Sequence, residues 1–159
     1  MADDFPTGTP DELELYLRWL GFLRGAVLRK VEGLDDEGAR WTPEGRLIPL
    51  IGVVNHLTRV EWRWIDGAML GEQVDRSEEE FRPGPSLTVA DAVRAYRERA
   101  VATDDAVRRI ADLRTPCLEG SAENPMDLRW VLLHLINESA RHAGHADATR
   151  ELLDGTTGE

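Results

Sequence analysis

Residues 127–153, near the C-terminus, constrain the fold more than any other stretch. They read DLRWVLLHLINESARHAGHADATRELL. Positions on one side of this stretch recur in steps of three and four residues, which is the period of an α-helix. The positions are Leu128, Val131, Leu135, Glu138, His142, His145, Thr149 and Leu152. The pattern predicts a long helix that has Asp127 as its N-cap and ends at Gly155.

The middle of this face is polar where a core helix would carry leucine or valine. Glu138, His142 and His145 occupy it. Burying a carboxylate and imidazoles costs several kcal/mol unless they are paired or bind a metal. Glu138 and His142 are four residues apart, so their side chains lie on adjacent turns and can converge on one point. The pattern favours a pair of metal ligands, and the alternative is a hydrogen-bonded polar network in the core.

Three further helical segments precede this one. Thr9, Pro10 and Glu12 form a capping box around a proline at the first helical position, which predicts Thr9 as an N-cap. Thr88 is the predicted N-cap of the third helix. The predicted helices are about 10–32, 49–69 and 88–112, with one short turn after Asp35 between the first two.

Four long helices without an alternating strand pattern predict an all-α four-helix bundle, in which residues 1–159 form a single domain. Such bundles hold metal sites between side chains of facing helices. The polar segment from Gly71 to Ser86 contains Pro83, Gly84 and Pro85. This composition predicts an exposed, mobile loop that carries no chemistry.

Composition narrows the class of function. A net charge of -11 and a pI near 4.8 argue against a nucleic-acid partner, because phosphate backbones are bound by clustered lysine and arginine. The single cysteine, Cys117, has no internal partner for a disulfide, and the N-terminus lacks the features of a secretory signal. No apolar run approaches the roughly 18 residues of a membrane span. We therefore expect a cytoplasmic protein with no membrane partner.

Two stretches carry a specific resemblance. IPLIGVVNHLTRVEWRW at 48–64 and LRWVLLHLINESARHAGHADATRELLDG at 128–155 resemble the DinB-like (DinB/YfiT-like) superfamily of metal-binding four-helix bundles. The resemblance covers nearly the whole chain. In particular it looks like the branch related to mycothiol-dependent maleylpyruvate isomerase and mycothiol S-transferases. Many relatives supply three histidines, whereas the isomerase branch has glutamate at the first position of the His-x-x-x-His pair.

The resemblance implies a ligand set of His56 on the second helix with Glu138 and His142 on the fourth. His56 lies at the margin of the apolar face of its helix and can face the bundle interior. Two imidazoles and one carboxylate leave coordination positions open, as in catalytic zinc sites. The same set also suits iron(II), and nickel is a further alternative, so the ligands alone do not choose the metal. Zinc is the first choice among the three.

Other polar residues near these positions have several open roles. His145 can be a fourth ligand, a proton shuttle, a contact to a ligating residue or to substrate, or an ordinary histidine. Glu61 can orient a ligand or act as a base, although an ordinary interface charge is the simpler interpretation. His134 is expected to be a core histidine, and Cys117 a passive thiol. The catalytic residues themselves cannot be assigned from the sequence.

Two functions of different classes remain open. The resemblance implies a metal-dependent enzyme that uses a small thiol such as mycothiol. Such an enzyme either transfers the thiol to a small electrophile or uses the thiol to isomerise that electrophile. The alternative is a non-catalytic bundle that binds a metal or small ligand in a stress-related or sensor role, and a third interpretation has no metal. Trp19, Phe22 and Trp62 are apolar residues at exposed positions of the predicted helices, so they permit a homodimer.

Overall fold

The computed structural model describes residues 5–118 and 125–157. Five α-helices and no β-strand are found in these ranges, which confirms the all-α prediction. The helices are α1 (Glu12–Arg29), α2 (Asp36–Arg40), α3 (Leu50–Trp62), α4 (Val89–Ile110) and α5 (Leu128–Asp154). The short α2 is the turn predicted after Asp35. No described helix is long and apolar enough to cross a membrane.

The ends of α4 and α5 follow the local sequence. Thr88 Oγ1 accepts a hydrogen bond from Asp91 N at 3.1 Å, and Asp127 Oδ1 accepts one from Trp130 N at 2.9 Å. Each bond satisfies a backbone N–H that has no partner inside its helix. Gly155 terminates α5 in the left-handed region, with φ 78°. These three predictions are confirmed.

The predicted start of α1 is wrong by two residues. Asp11 is the N-cap, and its side chain accepts from Glu14 N at 3.1 Å. Thr9 Oγ1 instead accepts from Asp11 N, which lies before the helix. A carboxylate is at least as good an N-cap as a hydroxyl, so the cap is Asp11 although the sequence also contains a capping box.

The second predicted helix reaches Met69, but its last part is wider than an α-helix. Residues Arg63–Met69 form a π-helical segment that continues α3 directly. Leu70 N donates to Ile65 O at 3.0 Å, a bond that spans five residues. Such segments are rare and frequently occur at functional sites. Arg63 and Trp64, at its start, both contact residues around the candidate site described below.

The core extends along the bundle in two clusters. α1 packs mainly on α5, and α3 packs on both α4 and α5, whereas contact between α1 and α4 is less extensive. One cluster is centred on Ile51 and Val54 of α3, and the other on Ile65, Leu132 and Leu135. Each such side chain stabilises the fold by roughly 1.5–3 kcal/mol relative to exposure. These contacts fix the faces of α3 and α5 that meet at the candidate site.

Candidate metal centre

Three of the residues predicted to share a site lie together between α3 and α5. Glu138 Oε2 is 3.6 Å from His56 Nε2 and 3.5 Å from His142 Nε2. One donor atom from each residue lies within 4.8 Å of the others. The side chains of His56, Glu138 and His142 are only 7%, 16% and 12% exposed, respectively. Two imidazoles and one carboxylate therefore converge in a mostly buried position.

This geometry fits a divalent metal. Zinc bonds of about 2.0–2.1 Å in a tetrahedral arrangement place neighbouring ligand atoms about 3.3 Å apart. The two measured separations are a few tenths of an ångström longer. His56 Nε2 is buried, and no hydrogen-bond partner for it occurs in the described part of the chain. A buried ring nitrogen without a partner is costly, and a metal between the three donors would satisfy it.

The electrostatics keep His142 neutral. Burial, followed by electrostatic repulsion between the His142 and His56 rings when both carry a proton, lowers the pKa of His142 from 6.5 to about 4, although Glu138 acts in the opposite direction. A metal binds the neutral imidazole, so the ring does not need to lose a proton at neutral pH. His142 is therefore in the protonation state that a ligand requires.

The segment predicted to be an exposed loop contributes a buried carboxylate, so the predicted exposure is wrong at Glu80. Glu80 is 5% exposed, and its Oε1 lies 2.6 Å from His56 Nδ1. Arg63 binds both of its carboxylate oxygens, at 2.7 and 2.9 Å. Burial acts to raise the pKa of Glu80, but the bonds from Arg63 and His56 outweigh it, so the pKa is lowered. Glu80 is thus an ionised partner of His56.

Further contacts fix the segment around Glu80. Asn55 Nδ2 donates to Glu80 O at 2.8 Å, and the Phe81 ring stacks on the His56 ring at 4.2 Å. A Cβ atom at Gly52 would overlap the carbonyl oxygen of Phe81. Only glycine allows the segment to approach α3 this closely. The close approach at Gly52 lies one helical turn before His56.

His145 and Glu61 are the two further candidates from the sequence. His145 lies next to the three donors, whereas Glu61 lies elsewhere. His145 has its ring centroid 6.3 Å from that of His142, and its Nε2 accepts from Ile48 N at 3.4 Å. Glu61 is 2% exposed and accepts from Arg24 at 2.8 and 2.7 Å. Arg24 also donates to Asp104 at 2.8 Å, so Glu61 belongs to a buried ion-pair cluster of α1, α3 and α4.

An aromatic cluster lies one turn before Glu138 on α5. The His134 ring is parallel to that of Trp130, at 5.2 Å, and 4.7 Å from Trp64 on the π-helical segment. Burial lowers the pKa of His134. Cys117 lies away from this cluster, with its Sγ 3.4 Å from Met69 Sδ.

A cavity of about 1070 Å³ lies between α1 and α4 and does not contain the three donors. Arg24 and Asp104 are among the residues that line it. We assign the candidate site to α3 and α5 because the convergence of three donors specifies a chemistry, whereas the volume of a cleft does not.

Two histidines and one glutamate that converge between facing helices are the kind of donor set from which helical bundles build metal sites. The chain matches the family model of mycothiol S-transferase over residues 15–155. It belongs to this family, within the DinB-like superfamily, and the predicted resemblance is confirmed. No match was found among curated proteins.

Proposed function

We propose that the chain is a metal-dependent S-transferase that joins a mycothiol-type thiol to a small electrophile, with His56, Glu138 and His142 holding the metal. The observation that carries the proposal is the convergence of these three donors at separations of 3.5 and 3.6 Å. Family membership supports the thiol. Zinc is the metal we expect, and nickel and iron(II) are compatible with the same donors.

The chemistry needs a thiolate, and the metal would supply it. A metal held there with an open position would lower the pKa of a thiol enough for its proton to pass to solvent at neutral pH. The thiolate sulfur would form a bond to an electrophilic carbon while the bond from that carbon to the leaving group breaks. In the isomerase route the thiolate would add to a conjugated double bond and then leave, which restores the free thiolate.

The protein's own residues would prepare the site for this step. His142 stays neutral and available as a ligand, Phe81 covers one face of the His56 ring, and Arg141 adds a mostly exposed positive charge beside Glu138. His145 Nε2 already accepts a hydrogen bond from Ile48 N, so its lone pair is not available to a metal. We propose that the His145 ring, which lies beside His142, contacts a substrate instead.

The test is transfer of mycothiol to a bimane halide, followed by the fluorescence of the conjugate. The zinc-loaded protein should turn over, and the chelated protein and the His142→Ala variant should not. Arg109→Ala, on the exposed side of α4, is the control. Conjugate formation in the zinc-loaded parent protein no faster than in the chelated protein would contradict the proposal. Binding of metal without turnover for any electrophile would favour the non-catalytic alternative.

We also propose that the partner in solution is a second copy of the chain. Phe5, Trp19 and Phe22 form an aromatic cluster with centroid distances of 5.0 to 6.1 Å, and Phe5 is 68% exposed. Trp19 and Phe22, like Trp62, are half-buried and not exposed as expected, so Phe5 is the exposed member of this cluster. Aromatic residues that reach the surface are enriched at protein interfaces. Sedimentation equilibrium should give twice the chain mass, and Phe22→Asp should reduce it to the chain mass. A monomeric parent protein would contradict this.

A further inference from the structure

The segment between α3 and α4 makes a second set of contacts to the candidate metal centre, on the side of His56 that faces away from the other donors. His56 Nε2 faces Glu138 at 3.6 Å, and His56 Nδ1 faces Glu80 at 2.6 Å. The two ring nitrogens thus face different carboxylates, and only Nδ1 is hydrogen-bonded to the one it faces. This difference determines what Glu80 can do.

We propose that Glu80 is a positioning residue of the metal centre: its carboxylate holds the proton of His56 on Nδ1 and leaves Nε2 as the lone-pair donor. This inference rests on the proposed function, since it assigns a role toward the same metal. Nothing in the α-helical sequence pattern around His56 specifies the tautomer. The specification comes from a loop residue 24 positions later in the chain.

The chemistry of imidazole gives this contact its consequence. A neutral ring carries one proton, and a carboxylate that accepts from Nδ1–H keeps the proton there. Only then does Nε2 present a free lone pair to a metal. A carboxylate behind a ligating histidine also fixes the ring orientation and raises its basicity, and loss of such a partner typically weakens metal binding by about 10–100-fold.

The contacts around Glu80 are those expected of a residue held for this purpose. Arg63 binds both carboxylate oxygens, so the carboxylate cannot rotate away from His56. Asn55, the residue before His56, binds the main-chain carbonyl of Glu80. α3 and its π-helical extension thus hold both ends of the residue. An exposed acidic loop would need neither bond.

The tautomer can be measured without any metal. In long-range proton–nitrogen NMR spectra of the metal-free protein, the neutral form of the His56 ring should carry its proton on Nδ1. Glu80→Ala should shift it toward the Nε2–H form that free histidine favours in water, whereas Glu79→Ala should leave it unchanged. Glu79 is adjacent and exposed, so it is a matched control. Circular dichroism should show that both variants keep their helices.

Metal affinity is the second measurement. Competition with a chromophoric chelator should show zinc binding weakened by about 10–100-fold in Glu80→Ala, unchanged in Glu79→Ala and partly restored in Glu80→Asp. A parent protein whose neutral His56 ring carries its proton on Nε2 would overturn the inference. So would a Glu80→Ala variant with the parental tautomer or the parental affinity. A parent protein that binds no zinc would refute the proposed function, while the tautomer would still test the role of Glu80.

Discussion

Replacing Glu61 by glutamine should destabilise the fold strongly and leave the metal centre intact. Glu61 and Arg24 are 2% and 1% exposed and share two hydrogen bonds of 2.7 and 2.8 Å. Burial alone would lower the pKa of Arg24, but Glu61 and Asp104 outweigh it and raise the pKa. An arginine guanidinium is not deprotonated in proteins, so Arg24 stays charged in the core even when Glu61 is replaced by glutamine.

The magnitude follows from this trapped charge. Removing one partner of a buried pair typically costs about 3–5 kcal/mol, because the other charge remains buried without compensation. Asp104 still binds Arg24 at 2.8 Å, which favours the lower end of the range. For a chain of this size, about 3 kcal/mol corresponds to a fall in Tm of roughly 10 °C.

Urea unfolding followed by circular dichroism measures the free energy of unfolding directly. The double variant Arg24→Met with Glu61→Gln should lose less free energy of unfolding than the two single variants together. Each single variant leaves one buried charge without its partner, whereas the double variant removes both charges. Zinc content should match the parent protein in all three. A loss below about 1 kcal/mol in Glu61→Gln would refute the energetic reasoning. Loss of zinc in that variant would instead place Glu61 within the metal centre.

Two other consequences can be tested on the same material. Gly52→Ala should displace the segment around Phe81, because the new Cβ overlaps a backbone carbonyl that cannot rotate away. Zinc affinity should therefore fall by about 10-fold or more. Unchanged zinc affinity would contradict the close approach. The lowered pKa of His142 means that the folded metal-free protein binds this proton less readily than the unfolded chain. Its contribution to stability is complete above pH 6.5 and is lost as the pH falls toward about 4. The difference in free energy of unfolding between the parent and His142→Gln should therefore change across this range, and a constant difference would contradict the assignment.

Local sequence was sufficient for most of the fold. Thr88, Asp127 and Gly155 mark helix ends through bonds or backbone angles that depend on neighbours within a few residues. The spacing of Glu138 and His142 similarly places both side chains on one face of a helix. Such features are readable because their partners are close in the chain.

Glu80 and the π-helical segment could not be predicted in this way. Glu80 lies in a run of three glutamates, a composition that normally marks an exposed loop. Its burial depends on His56 and Arg63, which are 24 and 17 residues away. The one local sign was Gly52, a glycine inside an apolar helix, which marks a close approach by another part of the chain. The partner in that approach is defined only by the tertiary structure.

Metal content of the purified, untagged protein is the most direct test of the proposed function. Elemental analysis before and after chelation should give about one zinc per chain in the parent protein and none in His142→Ala. His134→Ala is the matched control, because His134 is on the same helix but lies against Trp64 and Trp130. It should retain the metal. A parent protein without metal after reconstitution, or His142→Ala at full occupancy, would contradict the assignment of His56, Glu138 and His142 as ligands.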